Sequence, residues 1–179
     1  QQSDESHQEQ LFAINVFKST IDRYINPPSI DSTWMTHTKG VIIHGGPGTG
    51  KTYISKLAVL YAICNGMKII STSILGIRAS DLGGTHLHSL FCWTPQKHES
   101  TPYKTAQLSL QRILRKPLQR HIILALDALF IDEVGTLSNK QLAVMDIMFR
   151  KFCNSPLPFG GLLMLGSLDP RQFDARLAS

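Results

Sequence analysis

A short glycine-rich segment constrains this chain more than any other feature. Residues 45–52 read GGPGTGKT, which matches the pattern G-x-x-x-x-G-K-[ST] at every fixed position. Glycines leave backbone N–H groups uncovered and supply the positive φ angles of a tight turn, so such a loop can wrap a phosphate group. The match follows an apolar run at residues 41–44 and precedes a helical pattern. This is the strand–loop–helix context in which the pattern predicts nucleotide binding.

The residue types in this loop predict separate roles around ATP. The helix that follows directs its positive end at the anion. Lys51 can reach the β and γ phosphates, and the Thr52 hydroxyl can bind Mg²⁺. The loop residues expected to bind ATP are Gly46, Pro47, Gly48, Thr49, Gly50, Lys51 and Thr52.

Two adjacent carboxylates end a later apolar run. Residues 129–131 are Leu-Phe-Ile, and Asp132 and Glu133 follow them. Asp132 is expected to hold Mg²⁺ through water, and Glu133 to orient and deprotonate an attacking water molecule. A small-molecule kinase with an activated water would waste ATP, so the pair favours hydrolysis over phosphoryl transfer to another substrate.

Apolar runs and helical patterns alternate along the chain. Helical spacing over residues 11–25, 52–64 and 139–152 predicts helices that alternate with short strands, which implies right-handed crossovers onto a mostly parallel sheet. We therefore expect a three-layer α/β domain. Strands are expected at residues 41–44, 68–71, 129–131 and 162–165. Residues 1–9 are expected to form a disordered lead, and residues 93–105 an exposed excursion. Pro117 should break any helix within residues 101–121.

Composition adds weaker expectations. The net charge of +5 suits a polyanionic partner without requiring one. The three cysteines are odd in number and widely spaced, which predicts free thiols in a reducing compartment. No secretory signal and no apolar run long enough to span a membrane are present, so we expect a soluble intracellular protein without a membrane partner. The first residue is Gln1 rather than Met, which is compatible with a piece of a longer chain.

Four further segments occur in an order that resembles one family. They are residues 71–79 (STSILGIRA), 83–91 (GGTHLHSLF), 158–161 (PFGG) and 169–172 (DPRQ). With the glycine-rich loop and the acidic pair, they make the chain similar to the Pif-type (petite integration frequency) DNA helicases, relatives of RecD in superfamily one. The resemblance runs from about Gln10 to Gln172.

The resemblance implies a RecA-like ATP-binding domain over residues 10–179. It implies ATP-driven 5′-to-3′ movement along single-stranded DNA and unwinding at duplex junctions. It also implies a role in genome maintenance, including DNA repair, recombination and telomere maintenance, in the nucleus or mitochondrion if the source is eukaryotic. The family has a second RecA-like domain with an arginine finger, which lies outside this sequence. We therefore expect slow or absent ATP hydrolysis by residues 1–179 alone.

Particular residues take roles from the same resemblance. Gln172 would sense the γ phosphate and couple it to DNA, and Gln10 would read the adenine, with Gln8 an equal candidate. The residues that the resemblance assigns to DNA binding are Ser73, Gly76, Arg78 and His88.

The sequence also departs from the family pattern. Ile74-Leu75 stand where the family has Pro-Thr, which puts the DNA contact there in doubt. Leu168 stands where the family has a glycine, and residues 173–176 replace its Leu-Pro-Pro.

Several smaller signals have two interpretations each. His86, His88 and Cys92 could bind zinc, but three weak ligands without a fourth usually do not. The basic run over residues 101–121 is more often a solvated surface than a contact with DNA phosphates. The aromatic residues near it could stack on bases or pack in the core: Phe91 and Trp93.

Two other functions also fit the nucleotide-binding residues. One is a non-helicase P-loop ATPase, such as an AAA-type enzyme, and binding of single-stranded DNA would separate it from a helicase. The other is a remnant that binds nucleotide or DNA without turnover, against which the intact Lys51, Thr52, Asp132 and Glu133 argue.

Overall fold

Five parallel strands form one sheet at the centre of the computed structural model, which describes residues 2–27, 40–73, 84–93 and 100–170. The order across the sheet is β1-β5-β4-β2-β3, and every neighbouring pair is parallel. The strands are β1 (Gly40–His44), β2 (Ile69–Ser73), β3 (Thr85–His86), β4 (Ala128–Asp132) and β5 (Leu163–Leu168).

Helices cover both faces of this sheet. The helices are α1 (Gln2–Ile25), α2 (Lys51–Cys64), α3 (Leu87–Leu90), α4 (Pro102–Leu114), α5 (Pro117–Leu124) and α6 (Asn139–Phe152). Short 3₁₀ turns occupy Val134–Thr136 and Pro158–Gly161. The expected three-layer α/β architecture with a mostly parallel sheet is confirmed.

Alternate residues of the central strand β4 face the two cores. Ala128 and Phe130 pack into one cluster with residues of α1 and α2, whereas Leu129 and Ile131 pack into the other with residues of α4 and α6. Side chains alternate across a strand, so a strand buried on both faces needs a continuous apolar run. The run of residues 128–131 meets that requirement, and all four are buried.

The first helix differs most from the expected elements. The structure places residues 2–9 in α1, which corrects the expected disordered lead at 1–9. The lead contains no glycine or proline, and Gln and Glu are good helix formers, so the helix extends into it. Phe17 and Ile21 are buried as the spacing predicted, but Leu11 and Phe12 are exposed. Helix α6 has the expected bounds and begins with a capping box at Ser138.

The described parts of the expected excursion at 93–105 are exposed only in part: Thr101, Tyr103 and Lys104 are exposed, whereas both ends of the segment are packed. Trp93 and Thr105 are both buried, and α4 starts at Pro102 with Thr101 as its cap. A proline at the first helical position costs no hydrogen bond, which explains why it starts this helix rather than preventing it. Pro117 has the same role in α5, so the expected break lies between two helices. Residues 94–99 lie outside the described residues.

Two expectations from composition can be compared with the structure. Cys64, Cys92 and Cys153 are all free thiols, as their odd number and spacing predicted. Within the described residues, no helix combines the length and the hydropathy that crossing a membrane requires.

A close backbone approach explains one glycine of the GGT segment. Gly84 precedes β3 and lies against β2, where an added Cβ would overlap the Ser71 carbonyl oxygen and lie 2.7 Å from its carbon. Thr85 then pairs with Thr72 in the parallel register. Only a residue without a side chain allows β3 to reach the sheet here.

We expect Gly84→Ala to lower the free energy of unfolding by about 1–3 kcal/mol, because the new methyl group must displace the backbone of β2. Urea denaturation of the purified chain measures this change. Gly46→Ala is the matched control, since a Cβ at Gly46 meets nothing within 4 Å. Equal stability of the two variants would contradict this explanation.

Candidate active site

The glycine-rich loop has the geometry that its sequence requires. Gly48 and Gly50 have φ values of 77° and 83°, in the left-handed region that favours glycine. Within the loop, the Thr49 hydroxyl donates to the Gly46 carbonyl at 2.9 Å. Helix α2 begins directly after the loop at Lys51, so its amino-terminal N–H groups face the same space.

The lysine of the loop lies inside the turn. Lys51 Nζ donates to the carbonyl oxygens of Gly45 and Gly46, at 2.5 and 2.6 Å. The same Nζ lies 3.9 Å from Asp169 Oδ2, just after β5. The ammonium group is therefore held where the loop curves, between the loop carbonyls and the end of the neighbouring strand.

The structure brings Gln10 of α1 to this loop. Its Nε2 donates to the Thr49 carbonyl at 3.1 Å, and a Cβ on Gly50 would lie 2.8 Å from the same nitrogen. Gly50 therefore provides room for the amide as well as a positive φ angle. Contact between Gln10 and adenine stays a prediction.

The acidic pair ends β4 and is held by a serine of β5. Asp132 is buried, and the Ser167 hydroxyl donates to its Oδ1. The Glu133 backbone N–H donates to the same Ser167 Oγ at 3.1 Å. Glu133 is also buried and has a φ of 55°, so the chain leaves strand geometry between the two acids.

The strand order brings the loop and the acids to one edge of the sheet. Strand β5 lies between β1, which leads into the loop, and β4, which ends in Asp132. Because all three strands are parallel, their carboxyl ends meet at the same edge. Ser167 contacts the acid on one side, and Asp169 lies near Lys51 on the other. The loop and the acidic pair therefore form one site.

The donor atoms at this edge suit a hard cation. Thr52 supplies an exposed hydroxyl in the first turn of α2, and Asp132 supplies a carboxylate. Oxygen donors of this kind are the ligands that Mg²⁺ prefers, commonly with substrate phosphates completing its coordination. The residues present therefore fit the expected metal.

The PFGG segment has a structural role. Phe159, Gly160 and Gly161 all have positive φ angles. The Phe159 N–H donates to Asp146 Oδ1 of α6 at 2.7 Å, and a Cβ on Gly160 would lie 2.6 Å from the Phe149 carbonyl oxygen. The segment turns the chain tightly over α6 and delivers it into β5.

The residues assigned to DNA binding are only partly described. Gly76, Arg78 and Gln172 lie outside the described residues. Ser73 is fully buried at the end of β2, in register with Asp132, so it lies at the expected edge without an exposed surface. Its contact with DNA, like that of His88, stays a prediction.

His88 lies in a cluster of rings. Its ring centroid is 5.1 Å from that of His86 and 5.5 Å from that of Trp93. Burial lowers the pKa of His88, and the nearby His86 lowers it further. No group of three or more His, Cys, Asp or Glu side chains in the described ranges is placed to hold a metal, so the zinc interpretation gains no support.

The aromatic residues of this cluster belong to the core. Phe91 is fully buried and packs edge-on against Phe149 of α6. Trp93 is stacked on Phe91, with ring centroids 5.3 Å apart. Of the two interpretations of these residues, packing is the one that the structure supports.

Sequence reasoning missed two residues of the site. Ser167 and Asp169 connect the loop to the acids, yet only Asp169 belonged to a recognised segment and neither was given this role. The available signal was a small polar residue at the end of an apolar strand, two positions before an acid.

Leu168, which stands where the family has a glycine, accepts a hydrogen bond from the Gly45 N–H at 3.2 Å through its backbone carbonyl. This contact therefore does not depend on the Leu168 side chain.

The fold and this site define a P-loop NTPase domain. The family model described as PIF1-like helicase matches residues 22–174. The chain belongs to this family. Among curated proteins, it is 29% identical over 126 residues to "ATP-dependent DNA helicase Pif1" of Psychrobacter sp., covering 69% of this chain and 18% of that protein.

Solved structures show the same fold. A Pif1 helicase from Candida albicans matches with a TM-score of 0.64 at 21% identity, over 73% of this chain and 29% of that one. A Pif1 helicase from Bacteroides, in complex with ADP-AlF3 and single-stranded DNA, matches with a TM-score of 0.54 at 24% identity, over 79% of this chain and 32% of that one. The chain thus spans about a third or less of the length of each of these relatives.

We expect Ser167→Ala to lower the free energy of unfolding by about 1–3 kcal/mol, because it leaves the buried Glu133 N–H and the Asp132 carboxylate without the hydroxyl that bonds both. Urea denaturation measures the loss. Ser71→Ala is the matched control, since it removes a buried hydroxyl of β2 that has no hydrogen-bond partner within the described residues. We expect that variant to change stability by less than about 0.5 kcal/mol. The explanation is wrong if the two losses are equal.

Proposed function

We propose that this chain is the ATP-hydrolysing first motor domain of a 5′-to-3′ DNA helicase. One observation carries the proposal: in a PIF1-like helicase chain, the phosphate loop, Asp169, Ser167 and the acidic pair converge on one sheet edge. Two relatives support the substrates. One is named an ATP-dependent DNA helicase, and another was solved with ADP-AlF3 and single-stranded DNA.

The contacts around the loop indicate how ATP is held. The loop N–H groups and the α2 amino terminus bind the β phosphate, while Lys51 exchanges its carbonyl partners for the β and γ phosphate oxygens. Gln10, which already reaches the loop, reads the adenine. Thr52 and Asp132 would hold Mg²⁺, which would supply positive charge to neutralise the phosphates.

Hydrolysis needs a base beside the γ phosphate. Glu133 takes a proton from the attacking water, and Ser167 fixes the backbone at Glu133 and the carboxylate of Asp132 together. Gln172 senses the γ phosphate. Coupling to DNA movement requires single-stranded DNA across Ser73, Gly76, Arg78 and His88, and a second RecA-like domain that supplies an arginine finger.

We expect Lys51→Ala to weaken binding of Mg·ATP by at least about tenfold, because it removes a charge-assisted contact to the phosphates. Glu133→Gln should bind Mg·ATP within about threefold of the unaltered chain, since Glu133 acts on water rather than on the nucleotide. Isothermal titration calorimetry measures both affinities. The matched control is Lys56→Ala, an exposed lysine of the same helix. A similar loss of affinity in Lys51→Ala and Lys56→Ala would refute the assigned role.

Turnover by residues 1–179 should be slow or absent even with single-stranded DNA. An arginine finger contributes about 10³–10⁵ in rate in related phosphoryl-transfer enzymes, and none is expected in this domain. Phosphate release, measured with and without an oligothymidylate, tests this expectation. Brisk DNA-stimulated hydrolysis by this chain would show that the site is complete without a second domain.

A further inference from the structure

Asp169 adds a third carboxylate to the phosphate site. It follows β5 directly and is only 9% exposed. Its Oδ2 lies 3.9 Å from Lys51 Nζ. The backbone just before it is bonded to the loop, because the Leu168 carbonyl accepts from the Gly45 N–H at 3.2 Å. The carboxylate is therefore fixed beside the group that is proposed to bind the β and γ phosphates.

The interaction between Asp169 and Lys51 depends on charge rather than on hydrogen bonding. A separation of 3.9 Å is too long for a hydrogen bond, and Lys51 Nζ donates instead to the carbonyls of Gly45 and Gly46. The side chains of Lys51 and Asp169 are 17% and 11% exposed, so solvent screens the pair only weakly. The charge of Asp169 therefore also acts on any anion that Lys51 contacts.

Negative charge exceeds positive charge at this edge of the sheet. In the part of the site that the structure describes, Asp132, Glu133 and Asp169 are buried acids, and Lys51 is the cation of the loop. Buried charges are costly unless they are paired, and one ammonium group does not balance three carboxylates. A bound anion increases this imbalance unless positive charge enters the site with it.

The three acids differ in what the proposed function asks of them. Asp132 is a metal ligand and Glu133 is the base that activates water. Asp169 lies on the lysine side of the site and has neither role, although burying its carboxylate is costly. Its charge therefore requires a separate explanation.

We propose that Asp169 makes this site selective for the Mg²⁺ complex of ATP over metal-free ATP. Metal-free ATP is the more strongly charged anion, and the carboxylate beside Lys51 repels it. In the Mg²⁺ complex the cation offsets part of the phosphate charge, so the same carboxylate lowers the affinity less. Asp169 is thus a specificity-determining residue that acts through its charge. The inference rests on the proposed function, because it concerns the same nucleotide site.

The test compares two forms of the nucleotide on one variant. Asp169→Asn keeps the shape of the side chain and removes its charge. We expect it to bind metal-free ATP, titrated in EDTA, about fivefold to thirtyfold more tightly than the unaltered chain does. Its affinity for Mg·ATP should stay within about threefold, so the ratio of the two dissociation constants falls. Isothermal titration calorimetry measures these affinities.

The direction of the change separates selectivity from a structural role. A substitution that only disturbed the loop would weaken binding of both forms, whereas loss of a repelling charge strengthens binding of the metal-free form. Unchanged or weaker binding of metal-free ATP by Asp169→Asn overturns the proposal. Thermal melting verifies folding, and Asp169→Ser, which removes the same charge, is measured in its place if Asp169→Asn does not fold.

Glu9→Gln is the matched control for the loss of one negative charge. Glu9 is an exposed acid of α1, directly beside Gln10, which contacts the loop. Solvent screens an exposed charge, so we expect this variant to change the affinity for either form by less than about twofold. An equal gain in affinity for metal-free ATP in Glu9→Gln and Asp169→Asn overturns the proposal in favour of an effect of net charge.

The same titrations separate this inference from the proposed function. If the unaltered chain binds Mg·ATP and Asp169→Asn leaves the ratio of dissociation constants unchanged, only the role of Asp169 is rejected. Absence of binding for both forms of ATP rejects the proposed function and this inference together.

Discussion

One strand, β5, connects everything that this site needs. It separates the strand that enters the phosphate loop from the strand that ends in the acidic pair. Parallel strands lie about 4.8 Å apart, so β1 and β4 are roughly 10 Å from each other. Ser167 and Asp169 bridge this distance from the middle, with the hydroxyl on Asp132 and the carboxylate near Lys51. The positions of the groups proposed to bind phosphate, metal and water therefore depend on the position of β5 in the sheet.

The PFGG segment, residues 158–161, determines where the chain enters β5. The chain must leave α6 and reverse direction within residues 153–162 before it enters the sheet. Asp146 accepts from the Phe159 N–H, and its carboxylate is paired with Arg150 at 2.8 Å. Arg150 also donates to the Pro156 carbonyl at 2.6 Å, so the turn is held at two points of the backbone. A motif recognised by its family resemblance thus acts on the site through backbone position.

Within β5, Gly166 also helps to position the strand relative to the acidic pair. A Cβ there would lie 2.5 Å from the Val134 side chain and 2.8 Å from the Ile131 carbonyl oxygen. The 3₁₀ turn that follows the acidic pair therefore packs directly on β5. A larger residue at this position would push the acids away from Ser167.

The sequence predicted the parts of the fold that depend on local pattern. Periodicity predicts helix α6, and an apolar run predicts the core strand β4. The phosphate loop is predicted by a motif in which the turn itself requires the glycines. Strand β3 was missed because two residues are too short to give a periodic signal; it depends on Gly84 lying against β2. Ser167 was missed for a similar reason, since its role arises from strand order, which residues 163–168 do not encode by themselves.

The backbone at Glu133 shows how two neighbouring acids can serve one site. Successive side chains of a strand point to opposite faces, so a continued strand would direct Asp132 and Glu133 apart. Instead Glu133 adopts a left-handed conformation, which costs a residue with a side chain about 1–3 kcal/mol. Its N–H is bonded to Ser167, and its carbonyl accepts from both the N–H and the hydroxyl of Thr136 at 2.8 Å. The surrounding hydrogen bonds thus fix a strained residue, and the strain is the means by which the second carboxylate turns out of the strand.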